Sequence, residues 1–280
     1  MLEPRRRVCN AISDFRIERI ASLMMLLSVV MPVYNERETL ATILIRIARS
    51  LPKVEKEIIV IDDCSMDGTR EWLKVNFPDG KRRGSIVDLD DNGNLIFAEK
   101  PDPFPVTIRT VYHERNKGKG GALQTGFAVF SGDILVIQDA DLEYDPNDWD
   151  QMYDLIAVRR IADVVFGSRF YGRPHRSLNF HHYLANRSIS LLFNIIYNQT
   201  LTDIVTCYKM MTGDAARSLR LAANDFGIEV EMSAEIARKR NLRIYELGIS
   251  YFGRTYAEGK KISWRDGVKA LWYIFKFRFR

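Results

Sequence analysis

Short apolar stretches alternate with amphipathic segments from Leu26 onward, and this alternation limits the possible folds more than any other feature of the chain. It predicts β-strands that alternate with α-helices, and such a chain folds into a mostly parallel sheet with helices on both faces. The predicted strands lie at residues 26–33, 57–61, 106–111, 134–137, 164–167 and 243–251. Helices are predicted after the first strand and at about 147–158 and 229–239, so the fold class is α/β.

Acidic side chains follow three of the predicted strands. Glu36 comes after the first strand, Asp62 and Asp63 end the second, and Asp139 and Asp141 follow the strand at 134–137. In open α/β sheets, ligands bind beyond the carboxyl ends of the strands. We therefore expect these loops to face one crevice.

The segment Asp139-Ala140-Asp141-Leu142-Glu143 has the character of a metal site. Unpaired carboxylates at the end of a buried strand repel each other and need a counter-cation, and a hard divalent ion suits oxygen ligands. Mg²⁺ is usually held by one or two carboxylates plus substrate phosphates, so the expected ligand is a phosphorylated compound such as a nucleotide. The alternative is a solvated turn, because Asp-x-Asp alone is a common pattern.

A basic, glycine-rich stretch follows the strand at 106–111. Its glycines permit close backbone approach at a helix start, and Lys117 and Lys119 add positive charge, which favours an anionic or nucleotide ligand. A flexible basic turn is the alternative reading. The stretch is neither a Walker loop nor a dinucleotide fingerprint, since Leu123 stands where the last glycine belongs.

Residues 79–105 interrupt the alternation and have the character of an insertion. Acidic and amide residues between Asp88 and Glu99 match the ligand positions of an EF-hand loop. However, no helical pattern flanks them, and Asn92-Gly93 between two apolar runs is a strong hairpin signal. We predict a surface hairpin.

Composition limits the functional classes. The chain has 280 residues, 46% of them hydrophobic and 28% charged, as in ordinary globular proteins. Its three cysteines are far apart, which predicts neither a disulfide framework nor a zinc site and suits a reducing, cytosolic setting. The net charge is +5, but the basic residues form no pattern typical of nucleic-acid binding.

Both ends of the chain stand apart from the periodic core. Residues 1–23 resemble no secretory signal and form a predicted N-terminal extension, with Met24-Met25 as a possible natural start. No apolar run reaches the roughly 18–20 residues of a membrane-spanning helix. The pattern at residues 263–280 predicts an amphipathic helix rich in aromatic and basic residues. Such a helix could either bind a membrane surface or pack on the domain.

Five motifs occur in order: Val30-Met31-Pro32-Val33-Tyr34-Asn35-Glu36, Val60-Ile61-Asp62-Asp63-Cys64-Ser65, Asn116-Lys117-Gly118-Lys119-Gly120, Asp139-Ala140-Asp141-Leu142-Glu143 and Gly167-Ser168-Arg169. Together they resemble family 2 glycosyltransferases of the GT-A fold, in particular dolichol-phosphate mannose synthases and bacterial polyprenyl-phosphate glycosyltransferases. The resemblance implies one Rossmann-like catalytic domain over residues 24–262, with the insertion at 79–105 and an acceptor loop and helix at 169–200. The implied reaction is inverting transfer from GDP-mannose or a UDP-sugar to a polyprenyl or dolichyl phosphate, with Mg²⁺ or Mn²⁺.

The resemblance also implies roles for individual residues. Nucleotide contacts fall on Pro32, Tyr34, Glu36, Asp62, Lys117, Asp139, Ala140, Arg254 and Lys261. The implied metal ligands are Asp139, Asp141 and Glu143, the last standing where mannose synthases often have glutamine. Arg169 matches an arginine that holds the acceptor phosphate, together with Arg187 and Ser190, or with Asn186 and Ser190. Asp139, Asp141 and Arg169 are the expected catalytic residues.

The chemistry of the acceptor separates the alternatives. A phosphate monoester, with a second pKa of about 6, is mostly dianionic at neutral pH and attacks without an enzymatic base. A sugar-hydroxyl acceptor instead requires an Asp or Glu as general base, and this second kind of glycosyltransferase stays open. A nucleotidyltransferase is disfavoured because no glycine-rich loop follows the first strand, and a non-catalytic module does not need carboxylates at three strand ends. A polyprenyl acceptor places the enzyme at a membrane surface, on its cytoplasmic face.

Overall fold

The computed structural model describes residues 25–172, 174–176, 180–254 and 264–279. The predicted extension at 1–23 and the predicted nucleotide contact Lys261 lie outside these residues. The strands are β1 (Leu27–Val33), β2 (Lys56–Asp62), β3 (Lys81–Gly84), β4 (Ile86–Leu89), β5 (Leu95–Phe97), β6 (Val106–Tyr112), β7 (Ile134–Ile137), β8 (Val164–Ser168), β9 (Lys209–Thr212) and β10 (Ile244–Gly248). The helices are α1 (Leu40–Arg49), α2 (Thr69–Asn76), α3 (Gly118–Val129), α4 (Trp149–Tyr153), α5 (Phe180–Tyr197), α6 (Gly213–Arg217), α7 (Ile228–Arg238) and α8 (Trp264–Arg278).

Within the described residues, eight strands form one mostly parallel sheet in the order β10-β8-β9-β7-β1-β2-β6-β3. β1 pairs in parallel with both β2 and β7, and β2 pairs in parallel with β6. Almost every residue of β1, β2, β7 and β8 is buried, as expected for strands covered by helices on both faces. The predicted α/β class is confirmed, and the carboxyl ends of β1, β2 and β7 lie side by side.

The helices bury the faces that the periodicity predicts. α1 buries Leu40, Ile43, Leu44 and Ile47 against the sheet. The helix predicted at about 147–158 is irregular: a 3₁₀ turn at Pro146–Asp148 precedes α4, and a π turn at Asp154–Val158 follows it.

The insertion contains the predicted hairpin. β4 and β5 pair antiparallel, and the Nε1–H of Trp72 donates to the carbonyl of Gly93 in the turn at 2.9 Å. The insertion also supplies β3, which pairs antiparallel with β6 at the edge of the main sheet and was not predicted. Its side chains Lys81, Arg82 and Arg83 are exposed.

The sequence reading also missed β9. This strand runs antiparallel between β7 and β8 and makes the sheet mixed on that side. It begins at Lys209, whose side chain is fully buried, so the strand lacks the apolar signal that identified its neighbours.

Candidate active site

A cavity of about 920 Å³ lies at the carboxyl ends of the central strands. One wall consists of the loops after β1 and β7, and the start of α3 and the first turn of α7 form its floor. The opposite wall consists of α5 and α8, which contact each other. Because parallel strands place their following loops at one edge, segments distant in sequence meet there.

Most of the residues singled out from the sequence line this cavity. They are Pro32, Tyr34, Glu36, Asp139, Ala140, Asp141, Glu143, Arg169, Asn186 and Arg254. The loops after β1 and β7 therefore do share one crevice, as predicted.

Asp62 and Lys117 are not among the lining residues. The Asp62 carboxylate is fully buried, accepts from Arg70 Nε at 2.5 Å and also accepts from the backbone N–H of Ser65. Its neighbour Asp63 faces the cavity instead. Asp63 accepts from the backbone N–H groups of Lys117 and Gly118, each at 2.8 Å, so it fixes the loop before α3.

Arg187 and Ser190 also lie away from the cavity lining. Arg187 donates through Nη1 to the carbonyl of Thr202 at 3.1 Å. Ser190 is buried, and its hydroxyl accepts from the backbone N–H of Ile204 at 3.2 Å. Both hold α5 to the segment after it, whereas His181, His182, Asn186 and Ser188 occupy the face of α5 that lines the cavity.

The N–H groups of two glycines at the start of α3 already have partners within the chain. Gly120 and Gly121 donate to the carbonyl of Asn224, at 2.8 and 3.3 Å. A Cβ on Gly120 would stand 2.0 Å from the carbonyl oxygen of Ala223. These glycines therefore allow the backbone at residues 223 and 224 to pack closely against the start of α3.

Three carboxylates converge on one guanidinium at the outer part of the site. Arg254 Nη2 lies 2.7 Å from Asp141 Oδ2 and 3.5 Å from Glu36 Oε1, and its Nε lies 3.4 Å from Glu143 Oε1. The backbone N–H of Arg254 also donates to Glu143 Oε1, at 2.8 Å. Tyr251 donates its hydroxyl to the other oxygen of Glu143 at 2.9 Å.

Burial raises the pKa of Asp141 to about 7, and the neighbouring charges of Asp139 and Glu143 add to this effect. Arg254 opposes it without cancelling it. The loop after β7 therefore holds more negative charge than its arginine neutralises.

Asp139 belongs to a separate, inner cluster of charges. Lys119 Nζ lies 3.0 Å from Asp139 and 3.0 Å from Glu229 Oε1. Lys209 Nζ lies 2.6 Å from the other oxygen of Glu229. The thiol of Cys207 donates to Asp139 at 2.6 Å and accepts from Lys119 at the same distance. Two lysines thus balance two carboxylates in a nearly dry site.

The cluster shifts the pKa values of its members. Burial alone would raise the pKa of Glu229, but Lys209 and Lys119 outweigh it and lower this pKa to about 2. Burial opposes the charged form of Lys119, yet Asp139, Cys207 and Glu229 together outweigh burial and raise the pKa of Lys119. Burial, followed by Asp139, raises the pKa of Cys207, so its sulfur stays a protonated thiol.

Arg169 lines the cavity but is already paired. Its Nε and Nη2 donate to the two oxygens of the buried Asp203, at 2.7 and 2.8 Å. Asp203 uses two of the five N–H groups of the guanidinium. Asp203 therefore fixes the plane of Arg169, whose guanidinium carbon lies 5.3 Å from the ring centre of Tyr251.

The donor set at the end of β7 suits a hard divalent cation. Carboxylate oxygens are the ligands that Mg²⁺ and Mn²⁺ prefer, and Asp141 and Glu143 already share one cation, the Arg254 guanidinium. In the part of the chain that the structure describes, no three His, Cys, Asp or Glu side chains form a ready-made metal-binding group.

Sequence reasoning missed several lining residues: Asp63, Cys207, Glu229 and Tyr251, and the ion pair that Lys119 makes with Asp139. Lys119 and Asp63 lie within motifs that were noticed, but no local pattern assigned them these contacts. Cys207, Glu229 and Tyr251 reach the site only through the tertiary fold, so no sequence spacing could have identified them.

Comparison with known proteins identifies the family of the chain. The family model described as glycosyl transferase family 2 matches residues 28–220, more than half of the chain. An undecaprenyl-phosphate mannosyltransferase of Micrococcus luteus is 29% identical over 238 residues, covering 82% of this chain and 85% of the relative. A dolichol-phosphate mannosyltransferase of Pyrococcus furiosus is 26% identical over 244 residues, covering 85% of this chain and 61% of the relative.

A solved structure shares the fold. Glucosyl-3-phosphoglycerate synthase from Mycobacterium tuberculosis, in complex with Mn²⁺, UDP-glucose and phosphoglyceric acid, superposes with a TM-score of 0.65. The match covers 94% of this chain and 83% of that one, at 17% sequence identity. The fold is therefore of the GT-A type.

Proposed function

Because the chain belongs to glycosyl transferase family 2 and is thus a glycosyltransferase, we propose that it moves a sugar from a nucleotide diphosphate to a polyprenyl or dolichyl phosphate. The donor in this proposal is GDP-mannose or a UDP-sugar. The observation that carries it is the cavity, which is lined by carboxylates and arginines and also by residues of α5 and α8. The charged lining suits the reacting groups of a nucleotide sugar and a phosphate, and the exposed apolar side chains on the outer faces of α5 and α8 suit a lipid tail. The two relatives named for undecaprenyl and dolichol phosphates support the choice of acceptor.

In this proposal Asp141 and Glu143 hold a divalent cation, Mg²⁺ or Mn²⁺, with Asp139 beside it. When bound, the ion offsets the negative charge that develops on the departing nucleotide diphosphate. Pro32, Tyr34 and Ala140 line the cavity. In this proposal they shape the space for the base and ribose of the nucleotide. Asp63 fixes the Lys117-Gly118 backbone.

The reaction is a single displacement. An acceptor phosphate oxygen forms a bond to the anomeric carbon while the bond from that carbon to the donor diphosphate breaks, so the configuration inverts. Arg169, held in one orientation by Asp203, offers positive charge to the acceptor phosphate from the cavity wall. The acceptor needs no deprotonation because a phosphate monoester is mostly dianionic above about pH 6.

Apart from Asp141, which this proposal assigns to the metal, two carboxylates that line the cavity are poorly suited to act as the general base that a hydroxyl acceptor needs. A general base works best with a pKa near the operating pH. Burial would raise the pKa of Glu229, but Lys209 and Lys119 outweigh it and lower this pKa to about 2, which makes Glu229 a weak base. Asp63 is engaged by His113 Nδ1 at 2.7 Å and by two backbone N–H groups.

The outer surfaces of α5 and α8 support a membrane location for the acceptor. α8 packs Ala270, Ile274 and Phe277 inward, while Trp272 and Phe275 are 57% and 48% exposed. α5 exposes a further apolar set: Phe180, Leu184, Leu191 and Ile195. Among the described residues, no helix combines the length and apolar content needed to cross a membrane. We therefore propose peripheral association through these two outer faces.

The test is a transfer assay with GDP-mannose and UDP-sugars, a short polyprenyl phosphate or the matching polyprenol, and Mn²⁺, Mg²⁺ or EDTA. We expect transfer to the phosphate only, with an acid limb near pH 6, and loss of transfer in EDTA. Asp141→Asn should lose activity by a factor of 100 or more while its melting temperature stays close to that of the wild type. Arg169→Lys should impair use of the acceptor more than donor binding, because it loses the planar fork.

Equal use of phosphate and alcohol acceptors would instead favour the hydroxyl-acceptor glycosyltransferase. Full activity in EDTA would remove the metal from the mechanism. The matched control is Arg243→Gln, which loses a pair with Asp163 away from the cavity and should transfer sugar at the wild-type rate.

A further inference from the structure

Arg254 binds the carboxylates that the proposed function assigns to the metal ion. Its guanidinium contacts Asp141 and Glu143, the two proposed metal ligands, and it also lies beside Glu36. All four side chains are less than a quarter exposed. In such a poorly solvated site, a neighbouring cation raises the cost of binding another one.

The guanidinium and a divalent ion therefore exclude each other at Asp141 and Glu143. Without a ligand, three carboxylates surround Arg254, and releasing its guanidinium would leave them without this cation. A nucleotide diphosphate offers Arg254 another partner, because guanidinium groups form charge-assisted, two-pronged bonds with phosphate oxygens. Once Arg254 turns to the phosphates, the lone pairs of Asp141 and Glu143 are available to a metal.

Resting on the proposed function, we propose that Arg254 is a built-in counter-ion of the metal site. The divalent ion binds Asp141 and Glu143 tightly only after a nucleotide diphosphate has drawn the Arg254 guanidinium off these carboxylates. Metal and nucleotide then strengthen each other's binding through this one side chain, in addition to their direct contact.

Removing the Arg254 guanidinium should change two affinities in opposite directions. In Arg254→Gln the carboxylates lose their internal cation, so Mn²⁺ without nucleotide should bind at least tenfold more tightly than to the wild type. In the same variant the nucleotide diphosphate loses a cationic partner, so UDP and GDP in saturating Mn²⁺ should bind more weakly. A merely structural role of Arg254 predicts that both affinities fall together.

The experiment is a titration of the full chain with Mn²⁺ alone, followed by electron paramagnetic resonance of the free ion, and calorimetry of UDP and GDP with and without Mn²⁺. Arg254→Lys should give an intermediate Mn²⁺ affinity, because the ammonium keeps the charge but contacts fewer carboxylates. If the melting temperature shows that Arg254→Gln is unfolded, Arg254→Lys takes its place in the experiment. Arg243→Gln is the control and should match the wild type in both titrations.

An unchanged or weaker Mn²⁺ affinity in Arg254→Gln overturns the proposal. So does a wild-type protein that binds Mn²⁺ equally well with and without nucleotide diphosphate. These titrations use no acceptor and no turnover, so failure of the proposed polyprenyl-phosphate acceptor in the transfer assay would be recognised separately.

Discussion

Glu229 shows, at the scale of a single residue, how the inner charges of the site depend on one another. It lies between Lys119 and Lys209, and the side chain of Lys209 is fully buried. Breaking a buried ion pair by removing one partner costs more than replacing the whole pair with apolar groups, because the remaining charge is stranded. The cluster therefore tolerates paired changes better than single ones.

We expect Glu229→Gln to lower the free energy of unfolding by about 3–5 kcal/mol at pH 7, because Lys209 loses its carboxylate partner. Glu229→Gln combined with Lys209→Met should recover part of that loss. Urea unfolding measures both variants. The control is Asp214→Asn, whose fully exposed carboxylate pairs with Arg217, and it should unfold like the wild type.

The same carboxylate predicts a pH dependence. The pKa of Glu229 is about 2 in the folded protein against 4.5 ordinarily, so its contribution is fully present above about pH 4.5 and is lost as the pH falls toward 2. The difference in stability between wild type and Glu229→Gln should shrink over that range. Parallel pH profiles for the two proteins would show that Glu229 does not carry this charge balance.

At the scale of elements, the start of α3 depends on glycine. The backbone of Gly120 touches the segment before α7, and a Cβ there would meet the backbone of Ala223 rather than a side chain that can move. Any residue larger than glycine must therefore push the start of α3 away from this segment. The shift would disturb the inner cluster, because Lys119 lies at the start of α3 and Glu229 lies in α7.

We expect Gly120→Ala to destabilise the protein by about 1–3 kcal/mol, as overpacking of a rigid contact does. Gly267→Ala is the matched helical control, because a Cβ there meets nothing within 4 Å. It should leave stability unchanged or raise it by roughly 0.5–1 kcal/mol through helix propensity. Thermal unfolding followed by circular dichroism separates the two, and equal melting temperatures would contradict the contact.

The elements that the sequence predicts are those whose burial leaves a continuous apolar run. β1, β2 and β7 are covered on both faces, and each contains an unbroken run of buried apolar residues, such as Ile58 to Ile61, although β2 also buries Lys56 and Glu57. β9 is equally central but begins with Lys209, whose charge is balanced by Glu229 from another element. Because Glu229 balances the charge, a lysine can lie in this buried strand, and β9 lacks the long apolar run by which buried strands are recognised in a sequence.

At the scale of the whole molecule, α5 and α8 expose apolar side chains on the outside of the same cavity wall. If these faces lie on a bilayer, Trp272→Glu with Phe275→Glu should reduce flotation of the protein with anionic vesicles by tenfold or more. Val75→Glu, at a 65% exposed apolar position on α2, should float like the wild type.

Undiminished flotation of the double variant would show that this surface does not hold the membrane. A change from dimer to monomer in light scattering would show instead that a second copy of the chain covers it. Two predictions concern residues outside the described part of the chain: the N-terminal extension at 1–23 and the contact of Lys261 with the nucleotide.

The site as a whole could be predicted only in part. Its local motifs, such as Asp139-Ala140-Asp141, could be recognised because all their residues lie on one loop. Which member of a motif faces the cavity depends on the exact end of a strand, and so Asp63 lines it while the adjacent Asp62 pairs with Arg70. Partners such as Glu229 come from elements that only the complete sheet brings together.

The outer strand β3 has a consequence for how molecules of this protein meet. An edge strand presents unpaired backbone groups that could add a strand from another chain. Here that edge carries Lys81, Arg82 and Arg83 in succession, all exposed. Two such edges approaching each other would bring like charges face to face. We therefore expect the charged edge that the insertion supplies to disfavour strand-by-strand association of the sheet on this side.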